Sequence, residues 1–569
     1  MSIQSLERLF DQEDILFNLI QMSPSESNSD YKEILLNYLK FCKDEIEPTR
    51  SISDVEGLKY DKGVVTTPEC LKKLHQEFYS NGWFGIGIDE NFEGTPVSMR
   101  LVSALSSLSI GCNTGWYLYP ALSKACMNVL IKKGTPKIHQ EIIPKMMEGK
   151  FGGTMCLTES GAGSDVGNIS TKAKRLENSK GENLYSITGE KIFISSGQND
   201  LYENIVHLVL AKIDSPNLSK TSGVKDLSLF MVLRNNNNVH CEKIEHKMGI
   251  HASATCVLAF NNSVGELIGE IGQGMAHMFL MMNEARLLCS LQGESQAHMA
   301  YKKALHYAYE RIQFGVSINT HPDVKRMLDT LQASSRGMRA LCQYTAGLLD
   351  ENSERVELFT PIAKAYCTDE GFLCAVNALQ IFGGYGYCQE YGMEQYVRDS
   401  KIASIYEGTN GIQARDFVFR KILKDKGKNL QDLFKDIKLS LKHVEAEKID
   451  ESFLMACEEI SSSLKNLENF LGEFCAAASQ DKEVQEHLAY FSYPILLCVS
   501  HLVISWLLME QALQANIFIK GAKRSDFSND YLHSKVVDFQ VYVSNYLTRN
   551  QGIISSIMLG RRMRTYGIN

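Results

Sequence analysis

The sequence predicts a multidomain α+β protein: an N-terminal α-helical domain, a middle antiparallel β-barrel or sandwich, a C-terminal helical bundle and an additional C-terminal helical domain. Three observations carry this. At 569 residues the chain exceeds what one hydrophobic core supports. Helical periodicity runs almost unbroken from Tyr31 to Lys150, then gives way at Phe151 to short β-branched and aromatic runs that last to about Gly274. Long helical patterns return at Met275 and continue to the C-terminus, past a Lys/Gly/Asn-containing break after Leu423. The implied boundaries are 1–30 for an N-terminal arm, then 31–151, 152–274, 275–425 and 426–569.

Leu6, Leu9, Phe10, Ile15 and Leu16 make the arm amphipathic, and SPSESNSD after it reads as a linker. YKEILLNYLKFCKDEI and TPECLKKLHQEFYSNGW are helical, with breaks at Gly82, Gly85, Gly94 and Gly134-Thr135-Pro136, so this domain is expected to be all-α. The strand-like runs NLYSITG, KIFIS, IVHLVLAKI, DLSLFMVL and TCVLAF are separated by Gly, Asn, Ser and Asp turns. The pattern from Met275 to Ile312 suits a bundle helix. Tyr493–Met509 is apolar and falls just short of a membrane span; with Pro494 leading it and His501 inside, it reads as a buried bundle helix, and membrane association is not expected.

Hydrophobic content of 44% and charged content of 22% are ordinary for a globular protein. A net charge of -8 argues against nucleic acid as the main partner. The fifteen cysteines form no CxxC and no Cys/His group at zinc-ligand spacing, which reads as reduced and metal-free. Glu7, Asp11, Glu13 and Asp14 are wrong for a presequence, so a cytoplasmic protein is expected.

The chemistry concentrates in Gln380–Gln413. Gly383, Gly384 and Gly386 follow a helical run ending ALQIF, leaving backbone amides able to approach a phosphate or an adenosine. Glu407, in Tyr406-Glu407-Gly408-Thr409-Asn410, is a single carboxylate on a loop that glycine opens to a ligand. Upstream, Gly161-x-Gly163-x-x-x-Gly167 follows a strand, but no helix opens after it and no βαβ pattern surrounds it, so a dinucleotide-binding turn is a poor reading.

Four segments in order resemble the acyl-CoA dehydrogenases, particularly the large bacterial-type members with a C-terminal helical extension: MCLTESGAGSD from Met155, KIFISSG from Lys191, RIQFG from Arg311 and the Gln380–Gln413 stretch. The resemblance implies an FAD enzyme forming trans-2-enoyl-CoA, with Glu407 as the base. It implies flavin contacts from Cys156, Leu157, Thr158, Ser164, Phe193, Ile194 and Ser195, and from Arg311, Phe314, Gln380, Gly383, Gly384, Thr409 and Gly411. It assigns Ser164, Asn283, Arg286 and Gly408 to the substrate, and no residue to a metal. Ala285 stands where other members place a base, and Glu284, roughly 100° around the helix, is the alternative to Glu407. Three departures stand out: Ser160 replaces a proline, Phe193 a tryptophan, and Pro322 a glutamine that donates to FAD in similar chains. The resemblance also implies an electron-transfer flavoprotein as acceptor, or oxygen in the related oxidases, and a homodimer through Arg311. A flavin-binding relative with a DNA-binding or assembly role is the alternative class; the short basic cluster Arg561-Arg562-Met563-Arg564 is its only sequence support.

Overall fold

The computed structural model describes residues 9–21, 28–177, 183–214, 223–235, 237–279, 282–445, 447, 449–478, 481–521 and 525–563. Leu6 of the expected arm, most of the Ser/Asn-rich linker and Arg564 lie outside them. The chain divides into two compact units: a barrel unit, Phe41–Ser98 with Cys112–Ala285, and a bundle unit, Met1–Lys40 with Met99–Gly111 and Arg286–Asn569.

In the barrel unit the expected all-α segment contains a hairpin, β1 (Lys59–Asp61) and β2 (Val64–Thr66). Lys62 and Gly63 both have positive φ, the two-residue turn that closes tight hairpins, and three-residue strands are too short to show a period. The strands β3 (Phe151–Cys156), β4 (Lys172–Arg175), β5 (Leu184–Ser195), β6 (Asn204–Ile213), β7 (Leu227–Leu233), β8 (Val239–Ile244) and β9 (Thr255–Ile268) form one sheet. Pairings β6–β4–β5–β9–β7–β6 close it into a barrel, with β8 added on β9. The expectation of a wholly antiparallel sheet needs correction: β3 and β4 both run parallel to β6, one after the other along its edge. Parallel pairing needs long connections, and the loop from Leu157 to Thr171 and the intervening β5 supply them. Ile187, Val209, Phe230 and Phe260 fill the interior.

The bundle unit is built on the helices Met282–Glu310, Pro322–Asp350 and Val356–Phe382. The first and third meet backbone on backbone: a Cβ on Gly293 would lie 1.9 Å from the Cys367 carbonyl oxygen, and one on Gly371 2.3 Å from that of Gly293. This contact sets the spacing of two helices that carry site residues. The segment expected as a separate domain, 426–569, belongs to the same unit. Its helices Ser492–Ile519 and Asn529–Tyr542 pack on the bundle, and Tyr493, Tyr542 and Tyr546 each make a 2.6 Å hydrogen bond to Asp369, Tyr366 and Glu370 of the Val356–Phe382 helix. Ser492–Ile519 is the one helix among the described residues long and apolar enough to cross a membrane, yet 83% of its most apolar window is buried within the protein. His501 lies inside it, its Nδ1 2.8 Å from Asn550 Oδ1, and burial lowers its pKa to about 4. The arm helix Gln12–Gln21 packs Phe17 against Ala515, Phe518, Tyr531 and Leu532.

Candidate active site

Glu407 has φ 54°, a left-handed backbone that a β-carbon resists, so the surrounding contacts must hold it there. They come from the helix Val356–Phe382. Lys364 is fully buried and donates from Nζ to the Gly408 carbonyl (2.7 Å) and to Asn410 Oδ1 (2.8 Å). Asn410 in turn donates to Thr368 Oγ1 (2.9 Å) and the Ala365 carbonyl (3.1 Å). Thr409 then caps the short helix Asn410–Asp416, and Gln413 Nε2 reaches back to the Glu407 carbonyl at 3.2 Å. Gly408 has φ 87°, and a Cβ there would meet Gln413 Nε2 at 2.7 Å. From the Met282–Glu310 helix, Gln292 accepts from Tyr406 Oη. The YEGTN loop is thereby anchored at both flanks of Glu407.

Burial raises the Glu407 carboxyl above its usual value, while Lys364 and Arg286 pull the other way. The residue is nevertheless exposed to solvent, so what raises it is a crowded but open recess and not a sealed core. Arg286 lies 4.0 Å from Asp416, with its Nε buried and without a hydrogen-bond partner among the described residues. Among those residues no acceptor meets the Glu407 N–H either, which leaves a donor free beside the carboxylate. The alternative base, Glu284, is engaged elsewhere: Lys132 lies 3.7 Å away and Asn128 donates to it at 3.3 Å.

A second cluster in the bundle unit joins Arg311 to the glycine turn. Strands β10 (Ile312–Gln313) and β11 (Val316–Ser317) flank Phe314 and Gly315, both at positive φ, and Phe314 at the tip is 95% exposed. The Arg311 guanidinium lies over the Tyr385 ring at 5.2 Å. Gly383 and Gly384 end the helix facing open space, and Gln380 is exposed one turn before them.

In the barrel unit two of the predicted motifs meet. Ile192 N–H donates to the Thr158 carbonyl (2.9 Å), and Lys191 Nζ to that of Leu157 (3.0 Å). Phe193 sits at φ 57° where β5 shifts register against β9, and the bulge turns its ring outward, 60% exposed. Leu157, Thr158 and Ser195 are half-buried, and Ser164 is exposed. The side chains of Cys156 and Ile194 instead lie in the barrel core, so a ligand can be met there only by their backbones. Asn283 falls in this unit, ahead of Arg286 on the same helix.

Each unit by itself fits part of an FAD. In the barrel unit a Cβ on Gly161 or Gly163 would meet no other atom within 4 Å, and Phe193 is exposed. In the bundle unit the same holds for Gly383 and Gly384, with Arg311 on the neighbouring Tyr385 ring, a group whose planar fork suits a pyrophosphate. Lys364 and Gln292 were not found by sequence reasoning, which saw Tyr406 and Asn410 only as neighbours of Glu407 and not as anchors of its loop. The available signal was a lysine within the otherwise apolar run PIAKAYC, since lysine is almost never fully buried unless paired.

A loop-borne carboxylate with Lys364 and Arg286 acting on it, together with backbone open to a large ligand, is equipment for taking a proton from a bound substrate. The chain belongs to the acyl-CoA dehydrogenase family: the N-terminal, middle and C-terminal domains of that family match residues 28–150, 154–263 and 272–423. It is similar to the 3-methylmercaptopropionyl-CoA dehydrogenase of Ruegeria pomeroyi, 32% identical over 94% of this chain and 95% of that one. The structure of an acyl-CoA dehydrogenase complexed with FAD from Bacillus anthracis shares the fold, with a TM-score of 0.77 at 21% identity over 98% of this chain and 92% of that one. A chain in the structure of the electron transferring flavoprotein of Acidaminococcus fermentans aligns with a TM-score of 0.62 at 26% identity, covering 70% of this chain and 100% of its own. The protein is thus an FAD-dependent acyl-CoA dehydrogenase, an oxidoreductase acting on a CH–CH bond.

Proposed function

We propose that Glu407 removes the α-proton of an acyl-CoA thioester and that the product is the trans-2-enoyl-CoA. The observation that supports this most is the Glu407 loop itself, a carboxylate held at positive φ with a free N–H beside it and Lys364 and Arg286 around it. The free N–H of Glu407 is suited to donate to the thioester carbonyl, which stabilises the negative charge that builds on that oxygen as the α C–H bond breaks. The proton passes to the Glu407 carboxylate, and the electron pair it leaves forms the Cα=Cβ bond as the β-hydride departs. FAD, when bound, accepts that hydride. Acyl-chain binding would exclude more water from the Glu407 recess and raise its basicity further.

For the cofactor we assign Leu157, Thr158, Ser164, Phe193 and Ser195, with the backbones of Cys156 and Ile194, in the barrel unit. In the bundle unit we assign Arg311, Phe314, Gln380, Gly383, Gly384, Thr409 and Gly411. Ser164, Asn283, Arg286 and Gly408 are assigned to the substrate. An exposed Phe314 beside Arg311 is the surface expected of a side that a second subunit covers, which supports a homodimer. For the acceptor we propose an electron-transfer flavoprotein, on the likeness to a chain of that flavoprotein's structure, and for the location the cytoplasm. We propose 1–30, 31–151, 152–274, 275–425 and 426–569 as a functional division, with 426–569 an extension packed into the same compact unit as the bundle.

The test is an anaerobic titration of the FAD-loaded protein with acyl-CoAs from short to long chain, 3-methylthiopropionyl-CoA included, following flavin absorbance near ~450 nm. Bleaching by one class that disappears in Glu407→Gln is the expected result. Bleaching that persists in that variant overturns the base assignment, and a bound flavin that no thioester bleaches overturns the proposed activity. Rapid reoxidation by oxygen alone would replace the flavoprotein acceptor with oxidase chemistry.

A further inference from the structure

We propose that Lys364 is a positioning residue for proton abstraction: it holds the Tyr406–Asn410 loop in the turn that presents Glu407, and it sets its ammonium on the carbonyl of the residue next to that carboxylate. This rests on the assignment of Glu407 as the base.

The geometry argues for both roles at once. Lys364 Nζ spends two of its donors on the loop, one on the Gly408 carbonyl immediately after Glu407 and one on Asn410. Thr368, one helical turn further on, takes the other side of the Asn410 amide, so a single face of the Val356–Phe382 helix clamps both ends of Gly408-Thr409-Asn410. A glutamate has no intrinsic preference for φ 54°, and this clamp joins the Gln413 and Gln292 contacts in holding it there. The ammonium is fully buried, and a charge removed from water is kept only where it is hydrogen-bonded and paired. Both acceptors are neutral, and Glu407 is among the acidic groups that offset the burial of Lys364.

Among the described residues the titratable groups facing Glu407 are Lys364 from the Val356–Phe382 helix, Arg286 and the buried, neutral Cys289 from the Met282–Glu310 helix, and the buried Tyr406 hydroxyl of its own loop. Asp416, after the loop, lies against Arg286, which leaves Lys364 as the cation tied directly to the Glu407 loop.

The measurement is solvent deuterium incorporation at the substrate α-carbon against pH, which reads proton abstraction without flavin reduction. It is made on the FAD-loaded wild type, Glu407→Gln, Lys364→Met and Lys364→Arg, with thermal melting of each. Lys364→Met is expected to slow exchange about 100-fold, the cost of a misplaced base. It should also displace the acid limb upward by about one pH unit through loss of a neighbouring cation. Lys364→Arg keeps the charge and should keep the wild-type acid limb with a slower rate; it carries the test if the Met variant does not fold. A Met variant whose rate falls in step with its melting temperature while the limb stays in place makes Lys364 merely structural and overturns the proposal, as does an Arg variant with a displaced limb. Exchange that survives in Glu407→Gln removes the base assignment instead, a different failure from either of these.

Discussion

Lys191 and Glu159 meet at 2.9 Å with side-chain exposures of 0% and 6%, and they tie two segments of the barrel unit together at their base. Glu159 accepts four further bonds, from the backbone and hydroxyl of Ser170 and of Thr171, while Lys191 also donates to the Leu157 carbonyl. The loop between Glu159 and Ser170, which carries Ser164, is thus pinned at both ends. Burial opposes the charge on Glu159, but Lys191, Ser170 and Thr171 outweigh it and bring the pKa to about 2. Burial draws Lys191 down as well, against what a wholly favourable pair would do. Hydrogen bonds on both Glu159 oxygens hold that carboxylate ionised.

Glu159→Gln should therefore destabilise the barrel unit by about 3–5 kcal/mol, because it strands a buried ammonium. A carboxyl lowered in the folded state stabilises above its unfolded value and loses that contribution as pH falls. Wild-type melting temperature should accordingly drop between about pH 4.5 and pH 2, and the variant should lack that portion of the slope. Calorimetry across this range checks it, and a variant with the same slope as the wild type would remove the pair from the acid transition.

Glu407→Gln should slow α-proton abstraction by a factor on the order of 10²–10⁴ without loss of stability. The Glu407 carboxyl is raised in the fold, so its ionised form is disfavoured there, and at neutral pH an amide removes that cost. The melting temperature is expected to equal or exceed that of the wild type. For the wild type, a working base must be ionised, so abstraction should fall with decreasing pH around a midpoint above the ordinary 4.5.

Gly408→Ala should lower activity more than stability. Its backbone at φ 87° costs a side chain about 1–2 kcal/mol. The new methyl would also displace Gln413 Nε2 from the Glu407 carbonyl. Comparing kcat with thermal midpoint separates the two effects; equal losses in both would place the role of Gly408 in folding.

Asp14→Asn should loosen the arm. Burial would raise Asp14, but Lys535, Arg336 and Arg339 hold it below the ordinary carboxylate range, with Lys535 Nζ and Arg339 Nη1 each 2.8 Å away. Removing one charge from this buried group should cost about 3–5 kcal/mol, lost from the wild type too as pH falls. Proteolysis near residue 21 of the folded variant, faster than in the wild type, would report it.

The large chain, the α, β, α order and the Glu407, glycine and Arg311 motifs were legible in the sequence because each depends on residues close together in the chain. Phe314 at a hairpin tip and Gly408 in a positive-φ loop are local consequences of short sequences. The β1–β2 hairpin was not legible, since three residues carry no period. The tertiary structure alone decided what holds these pieces: Lys364 bonds Gly408 across 44 positions, Lys191 bonds Glu159 across 32, and Tyr542 bonds Tyr366 across 176. It also joined 426–569 to the preceding helical bundle and set β3 and β4 parallel to β6. The reason is physical: a buried charge or a strand edge is satisfied by whichever partner the packing brings within hydrogen-bonding distance, and periodicity along the chain carries no record of that choice.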